Sequence, residues 1–268
     1  MNISKELITP EIAKKYLGTN LNNRRIKEPV VLRYAADIKA GRWKEDTAEF
    51  IKILKNGEVG DGQHRLHAVI KSNTPTWFHV ASGIEVNVMD VLDTGSVRSS
   101  SDVFKISGIK NECVIPSMIS FYHLLNTGMS NTNQINSRLT NAMILEEYYK
   151  NAEYWQSVCR TSVSHYHSFN RILNPSQIGG FLSHFTVIDK IHAAEFMTQL
   201  CTGANVTNTT ILLLRNTLTK DRMSIKKIPI DVKNVYIIKT WNSFRSPSKS
   251  ALKILKFDKN AEKFPIAI

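Results

Sequence analysis

Apolar residues recur along this chain with two different spacings, and the change from one to the other divides it near residue 105. Before that point, short apolar stretches bounded by turn residues alternate with helical patterns. After it, apolar residues recur every three or four positions between breaks rich in Asn, Ser, Thr and Gly. The pattern predicts an α+β protein with a small mixed α/β domain at residues 1–105 and a mostly α-helical domain at residues 106–268.

Turn and cap signals divide the first domain into short elements. Thr9-Pro10-Glu11 combines an N-cap, a proline at the first helical position and a first-turn acid, and so predicts a helix that ends at Gly18. Asn56-Gly57 is a strong signal for a hairpin turn. The other predicted elements are helices at residues 29–40 and 63–71, and strands at residues 50–54, 58–59, 77–80 and 84–89.

Helical spacing predicts five helices in the second domain, at residues 116–126, 137–159, 174–184, 193–201 and 209–219. The Asn/Thr-rich residues 126–136 are expected to form an exposed connection. No internal repeat or low-complexity tract is present. The second domain is therefore expected to be a helical unit with a basic C-terminal segment.

The net charge of +12 indicates an acidic partner. Residues 215–268 hold 13 Lys and Arg against 4 Asp and Glu, so most of the excess lies in the last fifth of the chain. Nucleic acid, and DNA in particular, is the leading specific partner, and the alternative is a solvated basic surface. The residues expected to contact DNA are Arg245, Lys249, Lys253, Lys256 and Lys259, and helical spacing would place 249, 253 and 256 on one face.

The aromatic residues near Arg245 allow two interpretations. Trp241 and Phe244 are placed to stack on nucleic-acid bases, and the alternative is that they pack in the core.

Cysteine usage and hydropathy suggest a cytoplasmic protein. The three cysteines are far apart and lack CxxC spacing, so we expect buried thiols and neither disulfides nor zinc. The apolar runs are too short to span a bilayer, and the first six residues lack the layout of a secretion signal.

Asp61-Gly62-Gln63-His64-Arg65 lies where the predicted hairpin leads into a helix. A helix N-terminus offers backbone N–H groups and a partial positive charge to an anion, most often a phosphate. Arg65 adds a planar guanidinium that grips two oxygens, and His64 is able to donate to phosphate or to move a proton. The alternative is that Asp61 and Gly62 only form a cap and a turn. In that case His64 lies on the surface and Arg65 pairs with a nearby acid.

The segment DGQHRLHA resembles the nucleotide-binding motif of the ParB/sulfiredoxin superfamily, where Gly-x-x-Arg at the start of a helix holds nucleotide phosphates. The chain keeps Gly62, Arg65 and Ala68 of the ParB pattern, and has Gln, His and His where ParB has Glu, Arg and Arg. Gln63 stands where sulfiredoxin has its catalytic cysteine. The superfamily's free-serine kinases carry Asp-Gly-His-His-Arg, which differs from this motif only at Gln63.

A longer resemblance covers nearly the whole chain. The order ITPEIAKKYL, NNRR, YAADIKAGRW, GEVGDGQHRLHAV, DVLDTGSVRSSSD and TWNSFR followed by FP is similar to a family of phage-encoded ParB-like proteins. This resemblance implies a ParB/sulfiredoxin-like domain followed by a helical domain, in a phage protein located in the cytoplasm of the host. Nucleotides or DNA are the substrates that such a setting implies.

Two further polar clusters are expected to complete a nucleotide pocket. The first is an Asn- and Arg-rich loop between helices, and the alternative interpretation of it is a plain turn. The second follows a strand end, as phosphate-binding loops often do. The alternative interpretation of the second is a turn with a helix cap at residues 99–102. The cluster residues assigned to nucleotide binding are Asn22, Asn23, Arg24, Asp93, Thr94 and Arg98.

Three functions fit these residues. The first is an enzyme that binds a nucleoside triphosphate, ATP or CTP, with Mg²⁺, and transfers or releases a phosphoryl group. Here Asp61, His64 and Arg65 are the catalytic residues, Gly62, Gln63 and Arg65 bind phosphates, and Asp61 also positions the metal. The second is a non-catalytic, nucleotide-responsive DNA-binding protein. A nuclease ranks third, because metal-dependent cleavage generally needs more carboxylates than the motif offers.

The enzyme hypothesis predicts the effect of removing the Arg65 side chain. Arg65→Ala should remove nucleotide binding or turnover and leave the fold intact, because the side chain is assigned to the ligand.

Overall fold

A computed structural model of the protein describes residues 1–18, 25–86, 99–128, 139–206, 208–246 and 251–268. The chain divides into two compact units, Met1–Arg98 with Ser137–Ala142 and Ser99–Asn136 with Met143–Ile268. The division lies a few residues before the expected boundary at residue 105. In its described part, the protein has eleven helices and one four-stranded sheet, which confirms the α+β class.

The first unit is a mixed sheet combined with three helices. The strand order is β1-β4-β2-β3, in which β2 and β4 are parallel and the other neighbours are antiparallel. The apolar core draws residues from all four strands and all three helices. The elements are β1 (Asn2–Ile8), α1 (Pro10–Gly18), α2 (Glu28–Lys39), β2 (Ile51–Leu54), β3 (Val59–Asp61), α3 (Gln63–Ser72) and β4 (Thr76–Ile84).

Local sequence signals account for most of these elements. The helix that starts at Pro10 and ends at Gly18 is confirmed, and helices α2 and α3 lie within two residues of their predicted bounds. At the predicted hairpin turn, Gly57 has φ +85° and its N–H donates to the carbonyl of Leu54. A glycine accepts this φ without the steric cost of a side chain.

Two strand predictions were incomplete. Strand β1 was not predicted, because its polar sequence NISKELI becomes a strand only by pairing with β4, from Asn2 opposite Ser82 to Ile8 opposite Thr76. Strand β4 runs without a break, and the predicted gap at residues 81–83 is wrong. The ladder to β1 on one side and to β2 on the other holds these residues in the sheet. Residues 87–89 of the predicted last strand lie outside the described residues.

The second unit consists of helices. Aromatic rings join three of them: the rings of Phe185 and Trp241 stack with centroids 4.3 Å apart, and Phe196 meets both edge-on. The helices are α4 (Ser100–Ile106), α5 (Ile115–Asn126), α6 (Asn141–Lys150), α7 (Ala152–Ser168), α8 (Pro175–Ile188), α9 (Lys190–Thr202), α10 (Thr209–Met223) and α11 (Ile230–Arg245), of which α6 begins in the first unit.

The single helix predicted at residues 137–159 is wrong. The described part of this stretch contains two helices, α6 and α7, separated by Asn151. The Asn151 carboxamide oxygen accepts a hydrogen bond from the Tyr154 N–H at 3.0 Å and so starts a new helix. Asn is one of the preferred N-cap residues because its side chain satisfies an N–H group that lacks a helical partner.

The C-terminal segment differs from the helical arrangement expected for its lysines. Residues 251–268 form neither helix nor strand, and they follow α11, a helix that the sequence analysis missed. The Lys239 ammonium on α11 donates to the carbonyl of Lys256 at 2.8 Å, and the Asn242 side chain bonds the backbone at Ile266 and Ile268. The segment is therefore held by hydrogen bonds to α11 rather than by a helical repeat of its own.

Cys159 and Cys201 are buried thiols, as expected, whereas Cys113 is exposed. Burial raises the pKa of Cys201 to about 12, so this thiol stays protonated at neutral pH. None of the helices in the described part of the chain combines the length and the apolar composition needed to cross a membrane.

Candidate functional site at the junction of β3 and α3

A bulge in the hairpin sets the direction of the Asp61 side chain. Ile53 lies opposite Val59, and its neighbour Lys52 lies opposite Asp61. Strand β3 therefore has one extra residue at this point, Gly60, which has no partner of its own in β2. A bulge of this kind changes which face of the sheet the following residue uses. As a result Asp61 stands beside Lys52, with 3.4 Å between the carboxylate Oδ2 and the ammonium Nζ.

Gly62 connects the strand to the helix in a conformation that few other residues adopt. Its φ is +102° and its ψ is 3°, and it is the N-cap of α3. A Cβ atom at this position would lie 3.1 Å from Ile51 Cγ1 and 3.2 Å from Ile51 Cα. Both the backbone conformation and the close approach to β2 therefore require glycine here.

Arg65 is bound by the protein itself. Its side chain is 9% exposed, and its Nη2 lies 3.2 Å from Asp61 Oδ2. The same Nη2 donates to the carbonyl of Phe50 at 3.1 Å, and Nη1 donates to the carbonyl of Glu49. The guanidinium thus ties the first turn of α3 to the chain that enters β2. This is the structural alternative considered for Arg65, and it argues against a guanidinium held ready for a ligand.

His64 links α3 to the start of α2. Its Nε2 accepts a hydrogen bond from the backbone N–H of Lys27 at 3.0 Å, and Lys27 is the N-cap residue of α2. An Nε2 that accepts carries no proton, so the neutral ring has its proton on Nδ1. His64 is buried and not a surface imidazole. The N-termini of two helices consequently meet at this side chain.

The remaining polar residues of the motif are also enclosed. Gln63 is buried at the first position of α3. Burial lowers the pKa of His67, one turn further on, and the Glu28 carboxylate only partly opposes this effect. His67 is therefore mainly neutral at pH 7, unlike the arginine found at this position of the ParB pattern.

Asp61 is a poor candidate for a metal ligand. Its Oδ2 is within 3.4 Å of two cationic groups, those of Lys52 and Arg65, and its Oδ1 accepts from the Gly62 N–H at 2.6 Å. Two neighbouring positive charges oppose the binding of a dication to the same carboxylate. Within the described ranges, no three His, Cys, Asp or Glu side chains form a group that could hold a metal ion. The expected Mg²⁺ site at Asp61 therefore does not fit this arrangement.

The two clusters expected to complete the pocket lie outside the described residues. They comprise Asn22, Asn23 and Arg24 in one case, and Asp93, Thr94 and Arg98 in the other. Just after the second cluster, Ser99 caps α4 in a capping box with Asp102. The helix cap that formed part of the alternative interpretation is thus present.

The residues expected to bind DNA are in different surroundings. Lys253 and Lys256 are exposed, whereas Lys259 forms an ion pair with Asp231 at 2.6 Å. Arg245 lies over the ring of Trp241 and is 3.5 Å from Asp189, so it takes part in packing. Lys249 lies outside the described residues.

The aromatic residues near Arg245 are packed. Trp241 is fully buried, and the ring of Phe244 contacts those of Trp241 and Phe196. Core packing is therefore the interpretation that holds for Trp241.

Sequence reasoning missed two participants in the site, Lys52 and the backbone N–H of Lys27. The hairpin turn places residue 52 near residue 61, so the position of Lys52 could have been inferred from the register of the hairpin. The bulge that brings it opposite Asp61 gave no distinct sequence signal beyond Gly60.

No protein-family model matches the chain, and neither curated proteins nor solved structures provide a match.

Proposed function

We propose that the chain binds the phosphates of a nucleoside triphosphate at the first turn of α3 and transfers the terminal phosphoryl group to a hydroxyl group or to water, leaving the nucleoside diphosphate. The observation that carries this proposal is the glycine N-cap of α3, which stands at a strand end with the N-cap of α2 one hydrogen bond from His64. A helix N-terminus favours an anion through its N–H groups and its dipole. Two such termini beside each other strengthen that preference.

The charge of the junction supports the same proposal. Lys52 and Arg65 together carry two positive charges against the single carboxylate of Asp61. Lys52 is the more accessible cation, with 26% of its side chain exposed against 9% for Arg65. Under this proposal Lys52 contacts phosphate directly, and Arg65 is a positioning residue that holds Asp61 and the start of β2.

The nature of the anion is taken from the motif. The resemblance of residues 61–68 to the nucleotide-binding motif of the ParB/sulfiredoxin superfamily supports a nucleotide rather than a simple phosphate. Mg²⁺ enters the proposal as the counter-ion of the triphosphate and not as a ligand of Asp61. The second expected function, DNA binding, concerns a different part of the chain, the basic region near the C-terminus.

Ligand-dependent melting tests nucleotide binding directly. The full chain is heated with each of the four ribonucleoside triphosphates, with and without Mg²⁺, and with inorganic phosphate as the reference anion. A ligand that binds only the folded state at a hundred times its Kd stabilises it by about 2.7 kcal/mol. We expect at least one triphosphate to raise the midpoint well above the phosphate control. Midpoints that stay unchanged at millimolar concentrations of all four would contradict the proposal.

Two lysines of one hairpin provide a matched pair of variants. Lys52→Gln removes the more exposed of the two cations beside Asp61, whereas Lys55→Gln removes an exposed cation that pairs with Glu85. Loss of a charge-assisted contact costs about 1.5 kcal/mol or more, so Lys52→Gln should weaken nucleotide binding about tenfold. Lys55→Gln should leave the Kd unchanged. Equal effects would mean that only the overall charge matters.

Turnover needs its own assay, because binding alone is compatible with a nucleotide-responsive protein. Release of nucleoside diphosphate is measured with the triphosphate that gives the largest melting shift. We expect release that falls in Lys52→Gln in parallel with binding. Binding without release would restrict the proposal to a nucleotide switch.

A further inference from the structure

The connection between α10 and α11 displays two large apolar side chains to solvent. Met223 ends α10 and is 83% exposed, and Ile225 follows it and is fully exposed. Exposed apolar residues that occur singly need no explanation, but here two of them stand two positions apart among cations. Lys220, Arg222 and Lys226 are exposed on either side of them.

This connection is held in place by a buried carboxylate. Asp221 is 5% exposed, accepts a hydrogen bond from the backbone N–H of Ile228 and forms an ion pair with Lys233. Burial acts to raise the pKa of Asp221, but these contacts outweigh it and leave the pKa below its ordinary value. The Lys227 ammonium donates to the carbonyls of Asp221 and Arg222 at the end of α10. These hydrogen bonds and the ion pair therefore hold the loop between α10 and α11 in a defined conformation.

The local charge is positive, and the two acids of this region are already paired with lysines. Asp221 pairs with Lys233, and Asp231 at the start of α11 pairs with Lys259. Residues 220–233 contain five Lys and Arg against these two acids, which gives a net charge of +3. The exposed Lys253 and Lys256 belong to the segment that is bound to α11. Positive charge thus continues from the loop along this helix.

We propose that the α10–α11 loop is a DNA-binding wedge, in which Met223 and Ile225 insert into the minor groove of duplex DNA and Lys220, Arg222 and Lys226 contact the flanking phosphates. Proteins that bind the minor groove often insert Met, Ile, Leu or Phe between base steps and bend the duplex. Surface binding to a bilayer usually relies on a continuous apolar face along a helix, which this loop lacks.

The salt dependence of binding tests the phosphate contacts. The full chain is titrated into a fluorescent duplex of about 20 base pairs at several salt concentrations, and the slope of log affinity against log salt is measured. Each phosphate contact contributes about −0.9 to the slope, so the double variant K220Q/K226Q should flatten it by about 2. Arg222 stays unchanged because its side chain also donates to the carbonyl of Arg171. A wild type that binds no duplex, or a double variant with the wild-type slope, would overturn the proposal.

Bending tests the apolar wedge. Energy transfer between dyes at the two duplex ends should rise when the wild type binds, and M223S/I225S should lose this rise and bind about tenfold more weakly. The control is K190Q/I191S, which removes an exposed lysine and an isoleucine of 78% exposure from the start of α9. The control should bind and bend DNA as the wild type does. Equal losses in the control and in M223S/I225S would refute a specific wedge.

Vesicles containing phosphatidylserine provide the competing test. If the loop variants lose binding to these vesicles while the wild type ignores duplex DNA, the loop contacts membranes and the proposal is wrong. Because every variant retains the β3–α3 junction, nucleotide-induced melting shifts should stay at the wild-type value throughout.

Discussion

Replacing Gly62 by alanine should destabilise the first unit more than replacing any ordinary turn glycine. The glycine has φ +102°, and an added Cβ would stand 3.1 Å from Ile51 Cγ1 and 3.2 Å from Ile51 Cα. The backbone conformation alone costs an L-residue about 1–2 kcal/mol. The close approach adds to this destabilisation, because Ile51 Cα belongs to the backbone of β2 and cannot rotate away from the new methyl group. Overpacking of this kind typically costs about 1–3 kcal/mol.

The hairpin itself contains the matched control. Gly57 has φ +85°, and an added Cβ there would meet nothing within 4 Å. Gly57→Ala therefore reports the cost of the backbone conformation without the close approach. We expect Gly57→Ala to lower the free energy of unfolding by about 1 kcal/mol and Gly62→Ala to lower it by about 2–4 kcal/mol.

Urea unfolding monitored by circular dichroism and tryptophan fluorescence measures both variants. The linear extrapolation gives the free energy of unfolding for each, and the comparison requires coincident transitions by the two probes together with an unchanged slope. Equal losses in Gly62→Ala and Gly57→Ala would refute the reasoning, because the approach of β2 to residue 62 would then have no energetic consequence.

Three buried side chains should each contribute measurably to stability. Arg65→Ala should lower the free energy of unfolding by about 3 kcal/mol, contrary to the expectation that it leaves the fold intact, because two carbonyls lose their side-chain donor and Asp61 loses one of its two cationic partners. Exposed Arg160→Ala is the control. A loss of less than about 0.5 kcal/mol in both variants, the range of surface substitutions, would contradict the prediction. Burial lowers the pKa of His184 to about 4, so the unfolded chain takes up the proton first as the pH falls. The free energy of unfolding should therefore be unaffected by His184 above about pH 6.5 and should fall by about 3 kcal/mol as the pH drops towards 4. Urea unfolding at several pH values should show a weaker pH dependence in His184→Gln than in the wild type. Identical pH profiles would contradict a lowered pKa of His184. Trp241→Ala should lower the free energy of unfolding by about 3–5 kcal/mol, because the ring is fully buried against Phe185. Trp77→Ala should lower it less, because Trp77 is half-exposed. Thermal unfolding compares the two variants, and similar midpoints would count against a core role of Trp241.

Local signals explain why much of the first unit was predictable from its sequence. The proline at the start of α1, the Asn56-Gly57 turn and the change to helical spacing at Gln63 each act over a few residues. Such signals do not depend on how distant parts of the chain meet. The junction of β3 and α3 was therefore expected in the right place.

Features that depend on distant contacts were not predictable in the same way. Strand β1 exists because residues 2–8 pair with residues 76–82, and the polar sequence of this strand does not reveal its partner. The carbonyls of Glu49 and Phe50 reach Arg65 only after the hairpin has folded. For that reason the sequence predicted a free guanidinium, and the structure contains a bound one.

The break at Asn151 is a different kind of failure. The N-cap signal was local and readable, but the apolar spacing on both sides of it continued the helical pattern. A capping residue placed between two amphipathic segments should have ended the helix.

Hydrogen exchange measured by mass spectrometry, with and without the best-binding triphosphate, tests the central claim most directly. If phosphate binds at the N-termini of α2 and α3, exchange of the backbone amides at residues 62–66 and 27–31 should slow in the presence of nucleotide. Peptides from α11 should exchange at the same rate in both samples and serve as the internal reference. Lys52→Gln should show the same pattern only at higher nucleotide concentrations. Slower exchange confined to the second unit, or no change at a nucleotide concentration that saturates the melting shift, would contradict nucleotide binding at this junction.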